Sequence, residues 1–139
     1  RVNVDQTTAA RLNISPTYWQ TAAKETGALI RQQLEQYRRS ADYPNLEQTT
    51  AIIVDDGIAT GQTVIAAIGF LRSLSAQRII IATPVIAPST LSKLNELADE
   101  VRYVLCEEHF FAVGQFYQDF SPVNDNEVMT IMAGRNNQL

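Results

Sequence analysis

Two adjacent carboxylates, Asp55 and Asp56, follow an apolar stretch and precede a short loop of small and hydroxyl-bearing residues. The whole segment, residues 52–67, reads IIVDDGIATGQTVIAA. An ionised carboxylate only accepts hydrogen bonds, so a pair of carboxylates complements neighbouring hydroxyl groups such as those of a sugar. The acid pair therefore predicts recognition of a diol.

The residues after the acids favour binding of a phosphate group. IATGQT leads from a strand into a helix, whose first amides have no partner within the helix and carry partial positive charge. Gly61 lets an anion approach the backbone, and Thr60 and Thr63 add hydroxyl donors. The Walker pattern and the G-x-G-x-x-G dinucleotide pattern do not occur here. Acids and loop together predict a cradle for ribose 5-phosphate; a strand-ending turn followed by a helix cap, without any ligand, is the alternative.

Apolar spacing predicts alternating strands and helices around this segment. Residues 50–54 lack an alternating pattern, so this strand is predicted to be buried on both faces, and residues 78–83 are predicted to be a second buried strand. Alternation of strands and helices with short connections predicts parallel strands joined by right-handed crossovers. The predicted strands are 50–54, 78–83 and 100–105, and the predicted helices are 16–37, 63–74, 89–98 and 124–133. Residues 1–14 are predicted to be irregular or a weak strand.

Helix-start signals support two of these helices. Ser15 and Pro16 suit the cap and first position of one helix, and Asn124 with Glu127 forms a capping box for another. The apolar residues of the first helix recur at three- and four-residue spacing, which predicts one buried face. They are Trp19, Ala22, Ala23, Thr26, Ile30, Leu34 and Tyr37.

Composition narrows the function classes. The chain has 139 residues, enough for one α/β domain over 1–139, and a net charge of −4, which gives no overall support for nucleic-acid binding. No apolar run reaches the length of a membrane helix. Cys106 is the single cysteine, so no internal disulfide can form, which suits a reducing cytoplasm. Cys106 and His109 alone do not make a zinc site and are expected in a loop or the core.

The motif IIVDDGIATGQT resembles the phosphoribosyl pyrophosphate (PRPP) binding motif of the type I phosphoribosyltransferases. The stretches IIIATPVIAP and EHFFAVGQFYQDFSPVNDNEV, with NISPTYWQ and YRR earlier in the chain, are similar to a bacterial subgroup with poorly defined substrates. The resemblance implies a Rossmann-like sheet with flanking helices and a hood-like tail over 106–139. It also implies that the chain is the C-terminal portion of the family fold.

The implied activity is transfer of a phosphoribosyl group to a nitrogenous base with release of pyrophosphate, assisted by Mg²⁺. On this resemblance Asp55 and Asp56 are catalytic residues that bind the ribose 2′ and 3′ hydroxyls, directly or through the metal. The 5′-phosphate would lie on Ala59, Thr60, Gly61, Gln62 and Thr63.

The stretch FFAVG is similar to F-V-V-G in purine phosphoribosyltransferases. By that match Phe111 stacks on a base and the Ala112 backbone contacts the edge of the base. Asp119 falls near a metal-proximal aspartate after a one-residue shift. Core packing of the aromatic side chains and a surface position of Asp119 are the alternatives.

Two departures from the family pattern bear on function. Ala59 stands where purine salvage enzymes have an aspartate, and ATPVIAP lacks their lysine for a 6-oxo group, which argues against hypoxanthine and guanine. Residues 1–49 do not resemble the family's pyrophosphate loop. A non-catalytic PRPP- or nucleotide-binding regulatory module and a structural domain therefore stay as alternatives to the enzyme. A small-molecule substrate is the expected partner, and assembly into a homo-oligomer is left open.

Overall fold

A computed structural model describes residues 6–38, 40 and 42–135 of the chain. It divides into two compact units, residues 43–120 and the described parts of 2–42 with 121–139. The helices are α1 (Gln6–Arg11), α2 (Pro16–Arg38), α3 (Gln62–Ser73), α4 (Pro88–Leu97) and α5 (Asp125–Arg135), with a 3₁₀ turn at Val113–Phe116. The strands are β1 (Thr50–Val54), β2 (Arg78–Ile86) and β3 (Glu100–Cys106).

The three strands of the first unit form a parallel sheet in the order β1-β2-β3. Ile53 lies beside Ile81, and Ile81 lies beside Val101, so the strands are in register across the sheet. Parallel strands need a crossover between them, and α3 and α4 are the two crossover helices. The predicted α/β fold with a parallel sheet is therefore confirmed.

One face of the sheet carries the hydrophobic core. Val64 and Ile68 of α3 and Leu94 of α4 are buried against Ile79 and Ile81 of β2. The two buried residues of α3 are four positions apart, which is the spacing of one helix face. The acid pair and its loop begin at the carboxyl end of β1, where this core meets solvent.

The prediction that β1 is buried on both faces is wrong. Ala51 and Ile53 pack against the core, whereas Ile52 and Val54 are 61% and 77% exposed. The strand lacks alternation in its sequence, but α3 and α4 cover only the face to which residues 51 and 53 point. The apolar composition of β1 indicated that both faces of the strand could be buried. It did not indicate whether a second layer of helices covers the other face of the sheet.

In the second unit, both predicted helix starts are confirmed. The hydroxyl of Ser15 accepts the amide of Tyr18 at 3.2 Å. Asn124 Oδ1 accepts the Glu127 amide at 3.1 Å while Glu127 Oε2 accepts the Asn124 amide at 2.8 Å, which is a reciprocal capping box. The Tyr37 hydroxyl donates to Asp125 Oδ1 at 2.6 Å and joins α2 to α5.

The prediction of one buried face on α2 is wrong. None of its described residues is buried, and Ile30 remains 50% exposed. The spacing correctly marked an apolar stripe, but α5, the helix that contacts it, is short. None of the described helices combines the length and the apolar character needed to cross a membrane.

Element bounds differ from the predictions by a few residues. β2 continues past the predicted end at 83 to Ile86, and α3 and α4 each begin one residue earlier than predicted. Residues 6–11 form a helix rather than an irregular segment or weak strand, and the prediction for residues 1–5 falls outside the described residues. The 3₁₀ turn at 113–116 was not predicted.

Candidate functional site

The acid pair lies at the carboxyl end of β1, on a corner that is anchored on both sides. The Asp55 amide donates to the Ala82 carbonyl of β2 at 3.2 Å, which continues the sheet pairing by one residue. Ile58, fully buried, pairs with Ile86, donating to the Val85 carbonyl at 2.9 Å. The corner therefore cannot slide along β2, and the backbone of both acids keeps a fixed position beside the loop.

The two carboxylates have different surroundings. Asp55 is half-buried and its Oδ1 accepts the Gly57 amide at 3.3 Å, whereas Asp56 is exposed. Burial raises the pKa of Asp55; the Gly57 hydrogen bond opposes this effect, and the adjacent Asp56 raises the pKa further. A carboxylate that is costly to ionise in the free protein favours a partner that brings hydrogen-bond donors or positive charge.

The loop after the corner presents free backbone donors. Gly61 caps α3 in the left-handed region, with φ 71°, and no side chain caps this helix. Within the described part of the chain, the amides of residues 59–63 donate to no other group. Thr60 and Thr63 are exposed beside them. This is the arrangement in which a helix N-terminus binds a phosphate.

Thr90 of α4 holds the loop from its inner side. Its side chain is 2% exposed and its hydroxyl donates to the Ala59 carbonyl at 2.5 Å. A Cβ on Gly61 would lie 2.7 Å from the Thr90 Cγ2, so only glycine allows α4 to approach the loop this closely. Because the carbonyl of residue 59 points inward to Thr90, the Thr60 amide of the same planar peptide unit points the opposite way.

An aromatic loop, residues 109–120, packs onto the acid corner. A Cβ on Gly57 would lie 2.6 Å from Cγ1 of Val113, which shows how closely the two segments approach. The Tyr117 hydroxyl donates to the Asp56 carbonyl at 2.7 Å. The aromatic loop is thus fixed to the backbone that carries the acids.

Most aromatic side chains of this loop pack on one another. Phe110 contacts Phe116, and Tyr117 contacts Phe120, each pair with ring centroids 5.0 Å apart. Phe111 differs, because it is 89% exposed. The sequence left packing and base contact as alternative roles for these rings. The two ring pairs pack, whereas the Phe111 ring is exposed to solvent.

The backbone of Ala112, predicted to contact a base edge, is occupied within the loop. Its amide donates to Gln115 Oε1 at 3.1 Å and its carbonyl accepts the Gln115 amide at 3.3 Å. Sequence reasoning missed Gln115, Tyr117 and Thr90. Thr90 could have been found, since it follows Pro88 in the first turn of a helix that begins where β2, the neighbour of β1, ends.

The remaining residues singled out from the sequence lie at the end of β3 and in the aromatic loop. Asp119 is exposed beyond the 3₁₀ turn, Cys106 ends β3 half-buried, and His109 is exposed in the aromatic loop. The described residues contain no cluster of three or more His, Cys, Asp or Glu side chains that could enclose a metal ion. Two adjacent carboxylates are still compatible with Mg²⁺, which often takes one or two carboxylates and completes its shell with substrate oxygens.

Comparisons with known proteins agree with the geometry. The family model described as "Phosphoribosyl transferase domain" matches residues 5–121. Two Mycobacterium tuberculosis proteins, "Putative phosphoribosyl transferase Rv0571c" (strain H37Rv) and "Putative phosphoribosyl transferase MT0597" (strain CDC 1551), are each 36% identical over 103 residues. That match covers 74% of this chain and 23% of each relative, so the chain spans less than a quarter of the length of these proteins.

A solved structure shares the fold. The crystal structure of TT1426 from Thermus thermophilus matches with a TM-score of 0.73 and 30% identity, over 88% of this chain and 59% of the other. The family match includes both the acid corner with its loop and the aromatic loop. The chain belongs to the phosphoribosyl transferase domain family.

Proposed function

We propose that the corner and loop bind the ribose 5-phosphate part of PRPP. Support comes from the backbone amides of residues 59–63, in the loop and first turn around the cap residue Gly61. These amides donate to no group among the described residues. A phosphate on these amides would leave the ribose near Asp55 and Asp56, whose carboxylates accept hydrogen bonds from its 2′ and 3′ hydroxyls.

The proposed reaction is phosphoribosyl transfer to a nitrogenous base. The base nitrogen forms a bond to C1 of the ribose and loses a proton to water, while the bond from C1 to the pyrophosphate oxygen breaks and the electron pair leaves with pyrophosphate. Positive charge develops on the sugar ring, and the acid pair stabilises it electrostatically while holding the diol. When bound at these carboxylates, Mg²⁺ would neutralise charge on pyrophosphate.

Binding of ribose 5-phosphate, measured by isothermal titration calorimetry, tests the site. Asp56→Ala and Thr60→Ala should each weaken binding by about tenfold, because each removes a hydrogen-bonding group in contact with a charged or polyhydroxylated ligand. Glu96→Ala, an exposed acid on α4, is the matched control and should leave the affinity unchanged. Unchanged affinity in both site variants would overturn the proposal.

A second candidate function is PRPP or nucleotide binding without transfer. Residue 59 is alanine, so the loop offers no side chain there that could take the proton of the attacking nitrogen. Release of pyrophosphate from PRPP in the presence of adenine, other purines and pyrimidines separates the two functions. Ligand binding without any pyrophosphate release would favour the regulatory module.

A further inference from the structure

Gln115 organises the aromatic loop through its side-chain amide. Its Oε1 accepts the amides of Phe111 at 3.0 Å and Ala112 at 3.1 Å, and its Nε2 donates to the His109 carbonyl at 2.7 Å. One side chain therefore satisfies three backbone groups on the far side of the turn. These bonds fix the backbone conformation from residue 109 to 115.

The residue held in this way is an exposed aromatic ring. Phe111 is 89% exposed, and it is absent from the ring pairs formed by the other aromatic residues of the loop. Leaving a phenyl ring in water forgoes the stabilisation that burial would provide. An exposed aromatic ring on a rigid backbone can serve as a stacking platform, that is, a surface on which a flat base stacks.

The same loop is tied to the acid corner. The Tyr117 hydroxyl donates to the Asp56 carbonyl at 2.7 Å, and Val113 Cγ1 lies 2.6 Å from the position that a Cβ on Gly57 would take. The backbone that carries Phe111 and the proposed ribose site therefore belong to one connected structure, so fixing the loop also fixes the Phe111 backbone relative to the acids.

We infer that Gln115 is a positioning residue for the base: it holds Phe111 for stacking and at the same time occupies the two amides nearest to it. With the amides of Phe111 and Ala112 engaged by Gln115, this segment recognises the flat face of a base and does not read its edge through them. The ligand class is a planar aromatic base carried on ribose 5-phosphate. The inference rests on the proposed function.

The test compares affinities of the whole chain for ribose 5-phosphate, AMP and IMP by titration calorimetry. The ratio of AMP to ribose 5-phosphate affinity measures the contribution of the base. Gln115→Met keeps the length of the side chain and removes its hydrogen bonds, and should reduce that ratio by about tenfold, the scale of one stacking contact. Ribose 5-phosphate affinity should not change. Gln118→Met, an exposed neighbour, is the control.

Two further measurements exclude a merely structural role. Phe111→Ala should lower the ratio as Gln115→Met does, and the double variant should be no worse than Phe111→Ala alone, because both act through one ring. Gln115→Glu keeps the acceptor and should retain more of the ratio than Gln115→Met. If Gln115→Met does not fold, the affinity ratio of Gln115→Glu tests the positioning role in its place.

The results test two claims separately: that the Phe111 ring recognises the face of the base, and that Gln115 positions this ring. AMP and IMP, which differ at the base edge, should bind within about threefold of one another if stacking dominates; a difference above about tenfold would overturn recognition by the ring face. Equal loss of ribose 5-phosphate and AMP affinity in Gln115→Met, or additive losses in the double variant, would overturn the positioning role while the proposed function stands. A wild-type chain that binds no ribose 5-phosphate would overturn both.

Discussion

Thr90 shows how a buried residue outside the motif can determine what the motif offers to a ligand. Its hydroxyl donates to the Ala59 carbonyl at 2.5 Å, and its methyl carbon lies 2.7 Å from the position that a Cβ on Gly61 would take. The Ala59 carbonyl and the Thr60 amide belong to one planar peptide unit and point in opposite directions, so a carbonyl held inward turns this amide outward. Thr90 is therefore a positioning residue for the proposed phosphate site.

Replacing Thr90 by valine tests this role, because valine keeps the shape and removes the hydroxyl. We expect ribose 5-phosphate affinity to fall by about three- to tenfold, the scale of one hydrogen bond whose acceptor is left without a partner. Thr90→Ser keeps the hydroxyl and should bind within about twofold of wild type. The measurement is titration calorimetry together with a thermal unfolding midpoint for each variant. Lower stability with unchanged affinity in Thr90→Val would show that the bond serves only the fold.

Asp55 gives a prediction about pH. Burial and the adjacent Asp56 raise its pKa in the folded protein, so the folded chain binds this proton more tightly than the unfolded chain does. Stability is therefore greatest below the unfolded pKa and falls as pH rises through the folded pKa. At pH 7 the ionised side chain costs stability, and Asp55→Asn, which cannot ionise, should unfold at higher temperature than wild type.

The difference between Asp55→Asn and wild type should shrink as the pH is lowered towards the unfolded pKa. Thermal unfolding followed by circular dichroism between about pH 3.5 and 8 measures both midpoints, where about 4 is the ordinary pKa of aspartate. The same variant should bind ribose 5-phosphate more weakly at pH 7, since an amide replaces one acceptor oxygen. A wild-type chain that is more stable than Asp55→Asn at pH 7 would contradict the prediction.

The place of the candidate site in the fold was predictable at the residue scale, and the contacts that support it were not. The acid pair and loop are contiguous in sequence, so their place between β1 and α3 followed from local pattern alone. Thr90 is 31 residues from Ala59, and Tyr117 is 61 residues from Asp56. These contacts depend on how α4 and the aromatic loop pack, which spacing within one element does not encode.

At the scale of elements, Asp99 joins three segments at the end of the sheet opposite the candidate site. Its Oδ2 accepts the Ile79 amide of β2 at 2.7 Å and an Arg72 N–H from the end of α3 at 2.6 Å, immediately before β3 begins. These hydrogen bonds, the Ile79 amide first, lower the pKa of Asp99. One exposed carboxylate therefore ties two strands and a helix together.

Asp99 should contribute stability that depends on pH in the opposite sense to Asp55. A pKa lowered by folding gives stability that is present above the unfolded value and is lost as pH falls through the folded value. Asp99→Asn should therefore lower the unfolding midpoint at pH 7, and the two midpoints should converge at acid pH. Glu96→Gln, an exposed acid on α4, is the control. A constant difference from neutral to acid pH would contradict the assignment to ionisation.

Prediction of the elements succeeded for features that depend on a single chain segment. It failed for burial, which depends on whether another element packs against the segment. The capping groups of Ser15 and Asn124 acted locally, and the predicted helix starts were correct. The buried faces assigned to β1 and α2 were wrong, because periodicity marks the side that could be buried but does not supply the layer that covers it.

At the scale of the molecule, the sheet of the first unit has one face covered by α3 and α4 and one open face, which no helix of that unit covers. The register places Ile52 beside Ile80 and Val54 beside Ala82, with the side chains on the face away from α3 and α4. Val104 of β3 lies on this open face by the same alternation and is 87% exposed. Parallel sheets ordinarily have both faces covered.

An exposed apolar face of this kind should make the chain associate with itself. In sedimentation velocity the average mass of the wild-type chain should rise with concentration, because contact between open faces removes apolar surface from water. Val104→Lys places a charge in the open face and should shift association to about tenfold higher concentration or beyond, since an unpaired charge is costly to bury. Ile131→Lys, on α5 and 64% exposed, introduces the same charge elsewhere and should leave association near the wild-type level. Equal effects of the two lysines would assign association to net charge, and a wild-type chain that stays monomeric across the micromolar range would show that the open face alone does not drive it.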